Sequence, residues 1–374
     1  MELSDLRRRA TSGAATWAVL ACFAILPSLA SAQTAVYPGD PNDDPVFSWS
    51  TPFGDVEYVA ARGLRLGDSG IRVGGFATIE IDDEKGDAAT IALDGPSFLV
   101  LWEPVDFMRG FIEFELGDVF TYDTGSNQVK KDVIVDIERL YGEASFNDAV
   151  NVRIGKYLTP VGRWNLAPAE PFVWTATKPI MIELTFDEHQ TGGALLGSFY
   201  PGANTLNYWV YGQFMDGLNT SDSPPPQDRS VGTRLEYESA LGDWSLGGSF
   251  LASEIKGDWN FLGGLDAYWR RGPFELQSEF VYSEGKVSER DNWGVYTQGV
   301  YHLGHLNRWL RGFYGVARYE HFDPTGEKED VDIGELGLTW LPVPYLNLKV
   351  NYRFTDKQTE EVGRGLFASF SVLF

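Results

Sequence analysis

Histidine is the side chain best suited to proton transfer near neutral pH, and this chain has only four of them. His189 follows two acidic residues, His302 and His305 lie three positions apart, and His321 stands alone. A hydrolase needs such a residue beside an activated nucleophile, and none of the four is near a serine in a recognisable motif. A spacing of three in a turn argues only weakly for a metal site. These residues give little support to an enzyme, although catalytic groups are defined by geometry and not by sequence spacing.

Polar and apolar residues alternate along many segments of about ten residues, the length that a tilted membrane-spanning strand needs. In LNLKVNYRFT (346–355), every even position is apolar and the first four odd positions are Asn, Lys, Asn and Arg. Segments 231–238 and 274–282 repeat the pattern. A soluble β-sandwich would show the same alternation, so the pattern alone indicates strands with one apolar and one polar face.

The breaks between these segments alternate between short and long, as they do in bacterial membrane barrels. Short breaks fall near 102–107, 146–149, 200–204, 240–243, 271–273, 304–307 and 342–345, and longer polar breaks, such as 82–90 and 117–131, lie between them. Counting segments from Ile71 onward predicts an all-β fold, a transmembrane antiparallel β-barrel of about sixteen strands. Fourteen or eighteen strands remain compatible with the pattern.

The amino-terminal segment has the features of a secretory signal peptide. Three arginines at 7–9 precede an apolar run from 14 to 26 and a small-residue box at 30–32, which predicts a signal peptide over 1–32. Cys22, the only cysteine, lies inside it, so cleavage would leave no disulfide or thiolate site. Residues 33–70 read as a Pro- and Asp-rich periplasmic lead-in of unassigned role, and 71–374 as the barrel.

Composition excludes one broad class of function. The formal net charge is −23, which would repel a phosphate backbone and excludes a nucleic-acid reader. Hydrophobic residues make up 43% of the chain, yet no apolar run after residue 32 is long enough for a membrane helix. Alternation is how a membrane barrel distributes its apolar residues.

The carboxyl terminus carries the first family resemblance. GRGLFASFSVLF (363–374) alternates and ends on Phe374, and it resembles the signal that the bacterial barrel-assembly machinery reads in outer-membrane proteins. That resemblance implies the barrel-assembly machinery as a partner and the bacterial outer membrane as the location.

The longest break, residues 159–191, is too apolar for a freely solvated loop, because it contains Trp164, Phe172, Trp174, Ile180 and Met181. It is expected to fold inward. RIGKYLTPVGRWN (153–165), NYWVYGQFMDGLN (207–219) and LGLTWLPVPYLNLKVNYRF (336–354) resemble outer-membrane porins of the phosphate-selective type. The resemblance implies a water-filled channel for passive diffusion of small hydrophilic solutes and ions, a constriction loop, and a homotrimer embedded in outer-membrane lipid, without cofactor or metal.

The resemblance also implies a set of site residues. The constriction loop would contribute Arg163, Glu170, Lys178, Glu183, Asp187 and Glu188, and the pore wall would contribute Arg72, Arg139, Arg153, Arg234, Lys349 and Arg353. A basic wall opposite an acidic loop would create a transverse field that orders dipolar solutes. The same charges could instead pair with one another. Phosphate selectivity needs a dense basic lining, whereas many of the residues with inward phase are glutamates, so ion preference stays open.

Three other functions remain open at this point. A barrel enzyme of the phospholipase or protease kind would need an active site that the histidines do not indicate. A transporter of hydrophobic compounds would need an amino-terminal hatch, and residues 33–70 are short and polar. A soluble secreted β-protein has no need of a terminal phenylalanine signal.

Overall fold

The computed structural model describes residues 45–215, 227–286, 291–324, 330–357 and 362–374. Within these ranges all strands belong to one sheet of 21 strands. The first eight are β1 (Phe47–Thr51), β2 (Gly54–Val59), β3 (Gly63–Leu66), β4 (Ile71–Glu84), β5 (Thr90–Val105), β6 (Met108–Gly117), β7 (Phe120–Asp123) and β8 (Gln128–Lys130). The next six are β9 (Ile134–Asn147), β10 (Val150–Leu158), β11 (His189–Phe199), β12 (Thr205–Gln213), β13 (Arg229–Glu238) and β14 (Trp244–Ile255). The last seven are β15 (Asp258–Arg271), β16 (Phe274–Gly285), β17 (Asn292–His302), β18 (Phe313–Pro324), β19 (Val331–Val343), β20 (Leu346–Thr355) and β21 (Gly365–Leu373).

Sixteen of these strands form a closed barrel wall: β4 to β6 and β9 to β21. Each wall strand pairs antiparallel with the next, and β21 returns to pair with β4 from Gly365 opposite Glu84 to Leu373 opposite Phe76. The backbone of Phe374 completes this seam, since its N–H and C=O each bond to Gly75 at 2.9 Å. The prediction of an antiparallel barrel of about sixteen strands is therefore confirmed.

The two faces of the wall have opposite chemistry. On β15, Leu265 is 64% exposed on the outer face, whereas the neighbouring Asp266 is 4% exposed on the inner face. The same contrast recurs on β20 between Val350 and the buried Lys349. Exposed apolar side chains outside and buried polar side chains inside are the reverse of a soluble protein, and they match a barrel surrounded by lipid.

Two connections differ from the sequence expectation. Residues 303–312 form a longer connection with two 3-10 turns, Leu303–His305 and Arg308–Leu310, where a tight turn at 304–307 was expected. Segment 117–131, expected as a polar loop, contains the hairpin β7–β8. The reason is local, because β6 ends at Gly117 and the first residues of β5, Thr90 to Leu93, pair with β7 instead.

Residues 45–66 were expected to be part of a lead-in of unassigned role, but they form regular secondary structure. They form an antiparallel ribbon of β1, β2 and β3, attached to the wall through Leu64 opposite Val73 and Arg65 opposite Arg72. The proposed signal peptide and the first part of the lead-in lie outside the described residues. The described part of the chain has no helix that is long and apolar enough to cross a membrane.

Candidate functional site

The segment between β10 and β11, residues 159–188, is closed at its base by hydrogen bonds between its two ends. Thr159 Oγ1 donates to the carbonyl of Asp187 at 2.5 Å. The Asn165 side-chain amide donates to the carbonyls of Thr159 and Glu188 at 2.9 and 3.1 Å. Because both ends are tied together, the residues between them form one compact loop, which we call the inner loop.

The first half of the inner loop is bound to polar side chains on the inner faces of β13 and β16. The backbone N–H groups of Arg163 and Trp164 donate to the carboxylate of Glu279 at 3.0 and 2.7 Å. The Arg163 guanidinium donates to Glu236 at 3.2 Å and lies 4.1 Å from the ring centre of Tyr268. Charge-assisted bonds of this kind are stronger than neutral ones.

The second half of the loop contains a short helix, α1 (Ile180–Thr185), and is bound to β18 and β19. The hydroxyl of Thr177 donates to Glu335 at 2.6 Å, and Glu335 also receives the guanidinium of Arg353 at 2.8 Å. At the start of α1, the N–H of Met181 donates to Glu320 at 2.9 Å. The inner loop therefore packs against strands on opposite parts of the same inner surface.

Lys349 of the wall and Glu170 of the loop, both predicted site residues, contact each other. Lys349 Nζ lies 2.9 Å from the Glu170 carboxylate, and it also donates to the Glu170 carbonyl. Its charge is thereby removed from solvent, since Lys349 is almost fully buried. A wall cation and a loop anion thus form an ion pair here, and are not separated charges across an open space.

Two further predicted wall arginines are buried in ion pairs within the wall. Arg153 binds Glu143 at 2.5 Å and packs over the ring of Tyr141. Arg234 forms a two-pronged bond to Asp266 at 2.5 and 2.9 Å. These two arginines therefore pair with wall carboxylates and not with the acidic residues of the loop, and the transverse field between wall and loop stays a prediction.

The other predicted residues divide into exposed and internal positions. Arg72 is exposed near the start of β4, and Glu183 is exposed on α1. Asp187 is buried at the base of the loop, where it accepts the N–H of Gln227 at 2.9 Å. Lys178 and Glu188 pair inside the loop at 2.6 Å.

The Lys178–Glu188 pair has a clear electrostatic consequence. Burial alone would raise the pKa of Glu188, but Lys178 and the adjacent His189 favour the charged form and lower the pKa to about 2. Glu188 therefore stays ionised at any pH at which the protein would work.

A cavity of about 190 Å³ lies between the inner loop and the strands β4 to β6 and β9. Its ionisable lining consists of six glutamates, one arginine and one histidine: Glu80, Glu113, Glu115, Glu138, Glu170, Glu188, Arg139 and His189. Arg139 contacts Glu113, and His189 lies 2.9 Å from Glu138. The lining is therefore strongly acidic, and we call this space the acidic cavity.

A second cavity, of about 280 Å³, lies at the short-turn end of the same side of the wall. Its lining includes Glu103, Asp106, Arg109, Asn147 and Asp148, and Arg109 is bound to Glu103 at 2.7 Å. Val105, Phe107 and Met108 also line it, so this second cavity has a mixed polar and apolar lining.

The alternation of 274–282 places Glu279 on the polar face of its strand but does not identify it as a loop ligand. Sequence reasoning also missed Glu320, Glu335 and Arg318, whose guanidinium donates to the carbonyl of Thr177 at 2.8 Å. The only available signal was the short alternation of 317–320, Ala-Arg-Tyr-Glu, in a strand whose other residues do not alternate cleanly. Among the histidines, His321 pairs with Asp332, and His302 Nε2 lies 2.6 Å from the carbonyl of Arg311. Among the described residues, no three His, Cys, Asp or Glu are placed to hold a metal ion.

Comparison with known proteins gives matches in structure only. No protein-family model and no curated protein sequence matches the chain. OmpT, an outer-membrane protein of Vibrio cholerae solved in a trimer form, aligns over 81% of this chain and 99% of its own, with 11% identity and a TM-score of 0.55. An anion-selective porin from Comamonas acidovorans aligns over 81% of this chain and 98% of its own, with 12% identity and a TM-score of 0.54. The outer-membrane channel DcaP of Acinetobacter baumannii aligns over 88% of this chain and 100% of its own, with 11% identity and a TM-score of 0.53. The chain thus has the sixteen-stranded barrel fold found in bacterial outer-membrane porins.

Proposed function

We propose that this protein is a bacterial outer-membrane channel for the passive diffusion of small hydrophilic solutes, and that it favours cations. The observation that carries the proposal is the acidic cavity, which lies inside a closed barrel and beside a loop bound to the wall. Diffusion through such a space needs no catalytic group.

The outer surface supports location in a membrane. Large apolar side chains project from alternate positions of the strands, and Trp102, Trp269 and Trp340 are exposed near the short turns, where interfacial aromatics are expected. Signal-peptide cleavage and recognition of the strand ending in Phe374 by the assembly machinery are part of the same proposal. So is a homotrimer, for which the trimer form of the Vibrio OmpT offers an analogy in fold alone.

Cation preference follows from the balance of charges at the acidic cavity. Six glutamates line it, and three of them pair with the cations Arg139, Lys349 and Lys178, so these ion pairs leave an excess of negative charge at the cavity. Arg153 and Arg234 pair with other wall carboxylates. A phosphate-selective path would need basic groups facing the free space, and the paired bases of this wall do not supply them. The anion-selective Comamonas porin has the same fold, so selectivity in this fold depends on side chains.

The channel function can be tested by swelling of liposomes that contain the folded protein. We expect small neutral sugars to enter and larger oligosaccharides to be excluded, because the free space beside the inner loop is narrow. Liposomes without protein, and liposomes with heat-denatured protein, are the controls. Swelling rates equal to those of the controls for every solute would refute an open channel.

A further inference from the structure

The ribbon of β1, β2 and β3 has two faces of different chemistry. Paired residues on antiparallel strands project to the same face of a sheet, so the register assigns each side chain to a face. One face carries six apolar or aromatic side chains: Phe47, Trp49, Val56, Tyr58, Leu64 and Leu66. The opposite face carries a polar row of Ser48, Glu57 and Arg65, in which Arg65 lies 3.5 Å from Glu57. Such a ribbon suits the boundary between an apolar and an aqueous phase.

The apolar face of the ribbon continues the outer face of the wall. Leu64 pairs with Val73 of β4, and Val73 pairs with Val100 of β5. Val100 alternates with Phe98 and Trp102, which are 42% and 49% exposed on the outer face. Because pairing preserves the face, the side of the barrel that meets lipid extends into the ribbon without interruption.

The outermost strand presents this face to its surroundings. Trp49 is 69% exposed and Phe47 is 50% exposed, although the Phe47 ring stacks on Tyr58 at 5.5 Å between centres. Phe53, in the turn between β1 and β2, is 82% exposed. Large exposed apolar side chains that cluster in this way mark an interaction surface.

The position of the ribbon indicates what meets this surface. β3 joins β4 at its first residues, at the short-turn end of the barrel and next to the pair of Ile71 and Trp102. Short turns of bacterial barrels face the periplasm, and Trp and Tyr concentrate where a membrane meets water. The ribbon presents Trp49 and Tyr58 on the side that is continuous with the lipid-facing wall, so the nearest apolar phase is the periplasmic leaflet of the membrane.

We infer that the ribbon is a membrane-binding element whose apolar face inserts among the phospholipids of the periplasmic leaflet, beside the barrel. Its polar face, with Glu57 and Arg65, then meets the water of the periplasm. β3 and β21 occupy the same edge of β4, one after the other, so this lipid contact lies next to the seam where the wall closes. The inference uses the location of the barrel in the outer membrane and does not depend on conduction.

The placement can be tested with nitroxide labels on the folded protein in vesicles of phosphatidylethanolamine and phosphatidylglycerol. Trp49→Cys places the label on the apolar face, and Ser48→Cys, one position away and also exposed, is the matched control for the polar face. Cys22→Ser removes the only other cysteine. Molecular oxygen concentrates in lipid, whereas a nickel chelate stays in water. We expect the ratio of oxygen to nickel collision rates to be severalfold higher at position 49 than at position 48.

A second measurement keeps the tryptophan in the reference protein, because the label replaces the ring under test. Hydrogen–deuterium exchange of the β1 and β2 amides is compared in the same vesicles for wild type, Trp49→Ser and Ser50→Ala. Insertion stabilises the ribbon, so loss of one large buried apolar side chain should raise the exchange rate about tenfold or more. Ser50→Ala, on the polar face, should exchange as wild type does. Heat-modified electrophoretic mobility verifies that each barrel has folded.

Each other outcome would overturn the inference. Equal access of the nickel chelate to labels at 48 and 49 would place both faces of the ribbon in water. A label at 49 that neither reagent reaches, with spectral broadening by labels on other copies, would make the apolar face a contact between protein chains. Exchange in Trp49→Ser equal to that in wild type would show that the ring contributes nothing to the position of the ribbon.

Discussion

The Lys178–Glu188 pair offers a matched test of how charge controls permeation. Glu188 lines the acidic cavity and Lys178 Nζ lies 2.6 Å from its carboxylate. Glu188→Gln removes one negative charge, whereas Lys178→Gln removes one positive charge. The two substitutions therefore change the local charge by one unit in opposite directions at nearly the same place.

The size of the effect follows from Coulomb's law. An ion that passes about 4–8 Å from a unit charge in water interacts with it by about 0.5–1 kcal/mol. Screening in about 0.1 M salt reduces this to roughly 0.2–0.7 kcal/mol. Cations and anions are affected with opposite sign, so the cation-to-anion permeability ratio should change about 2–10-fold.

The assay is the reversal potential of single channels in a tenfold KCl gradient, for which ideal selectivity gives about 59 mV. Relative to wild type, Glu188→Gln should shift the potential toward the anion side, Lys178→Gln should shift it toward the cation side, and the double variant should lie near wild type. The shifts should shrink in about 1 M salt, where the Debye length is about 3 Å. Equal shifts of the same sign, or no shift in either single variant, would refute the placement of this pair beside the passage.

Three other predictions concern pH, buried charge and the outer face. Because the pKa of Glu188 is lowered to about 2 in the folded protein, its carboxylate keeps its negative charge at pH 4 and loses it only as pH falls toward 2. The difference in reversal potential between wild type and Glu188→Gln should therefore persist at pH 4. Arg234→Met leaves Asp266 buried without its partner and should lower the free energy of unfolding by about 3–5 kcal/mol. The measurement is a urea titration in which the fraction of folded protein is read from its band on an electrophoretic gel. Leu265→Arg, at an outer site in the middle of β15, should cost about 2–4 kcal/mol by the same titration, whereas Leu241→Arg in a short connection should cost about 0–1 kcal/mol.

The barrel could be predicted from the sequence because a strand between lipid and water must alternate with a period of two. The segment 346–355 shows this pattern in full, and β20 occupies 346–355 in the structure. The connection 303–312 and the ribbon of residues 45–66 were not predicted, since neither lies between lipid and water and neither is constrained to alternate. The β7–β8 hairpin was missed because it sits beyond the end of β6, in a stretch whose composition is that of a polar loop.

The pairing inside the barrel could not be predicted, because the partners are far apart in the chain. Lys349 and Glu170 are separated by 179 positions, and Arg163 and Glu236 by 73. Alternation places each charge on the inner face, but strand register and the path of the inner loop decide which charges meet. The acidic character of the cavity likewise depends on which side chains the strand register and the inner loop bring together around it.

The most direct test of the central claim is the current through single wild-type channels in a planar bilayer under a salt gradient. We expect stepwise, ohmic conductance with a reversal potential of cation sign and no block by added phosphate. An anion-sign potential with phosphate block, or no conductance from correctly folded protein, would contradict the proposed cation-favouring channel.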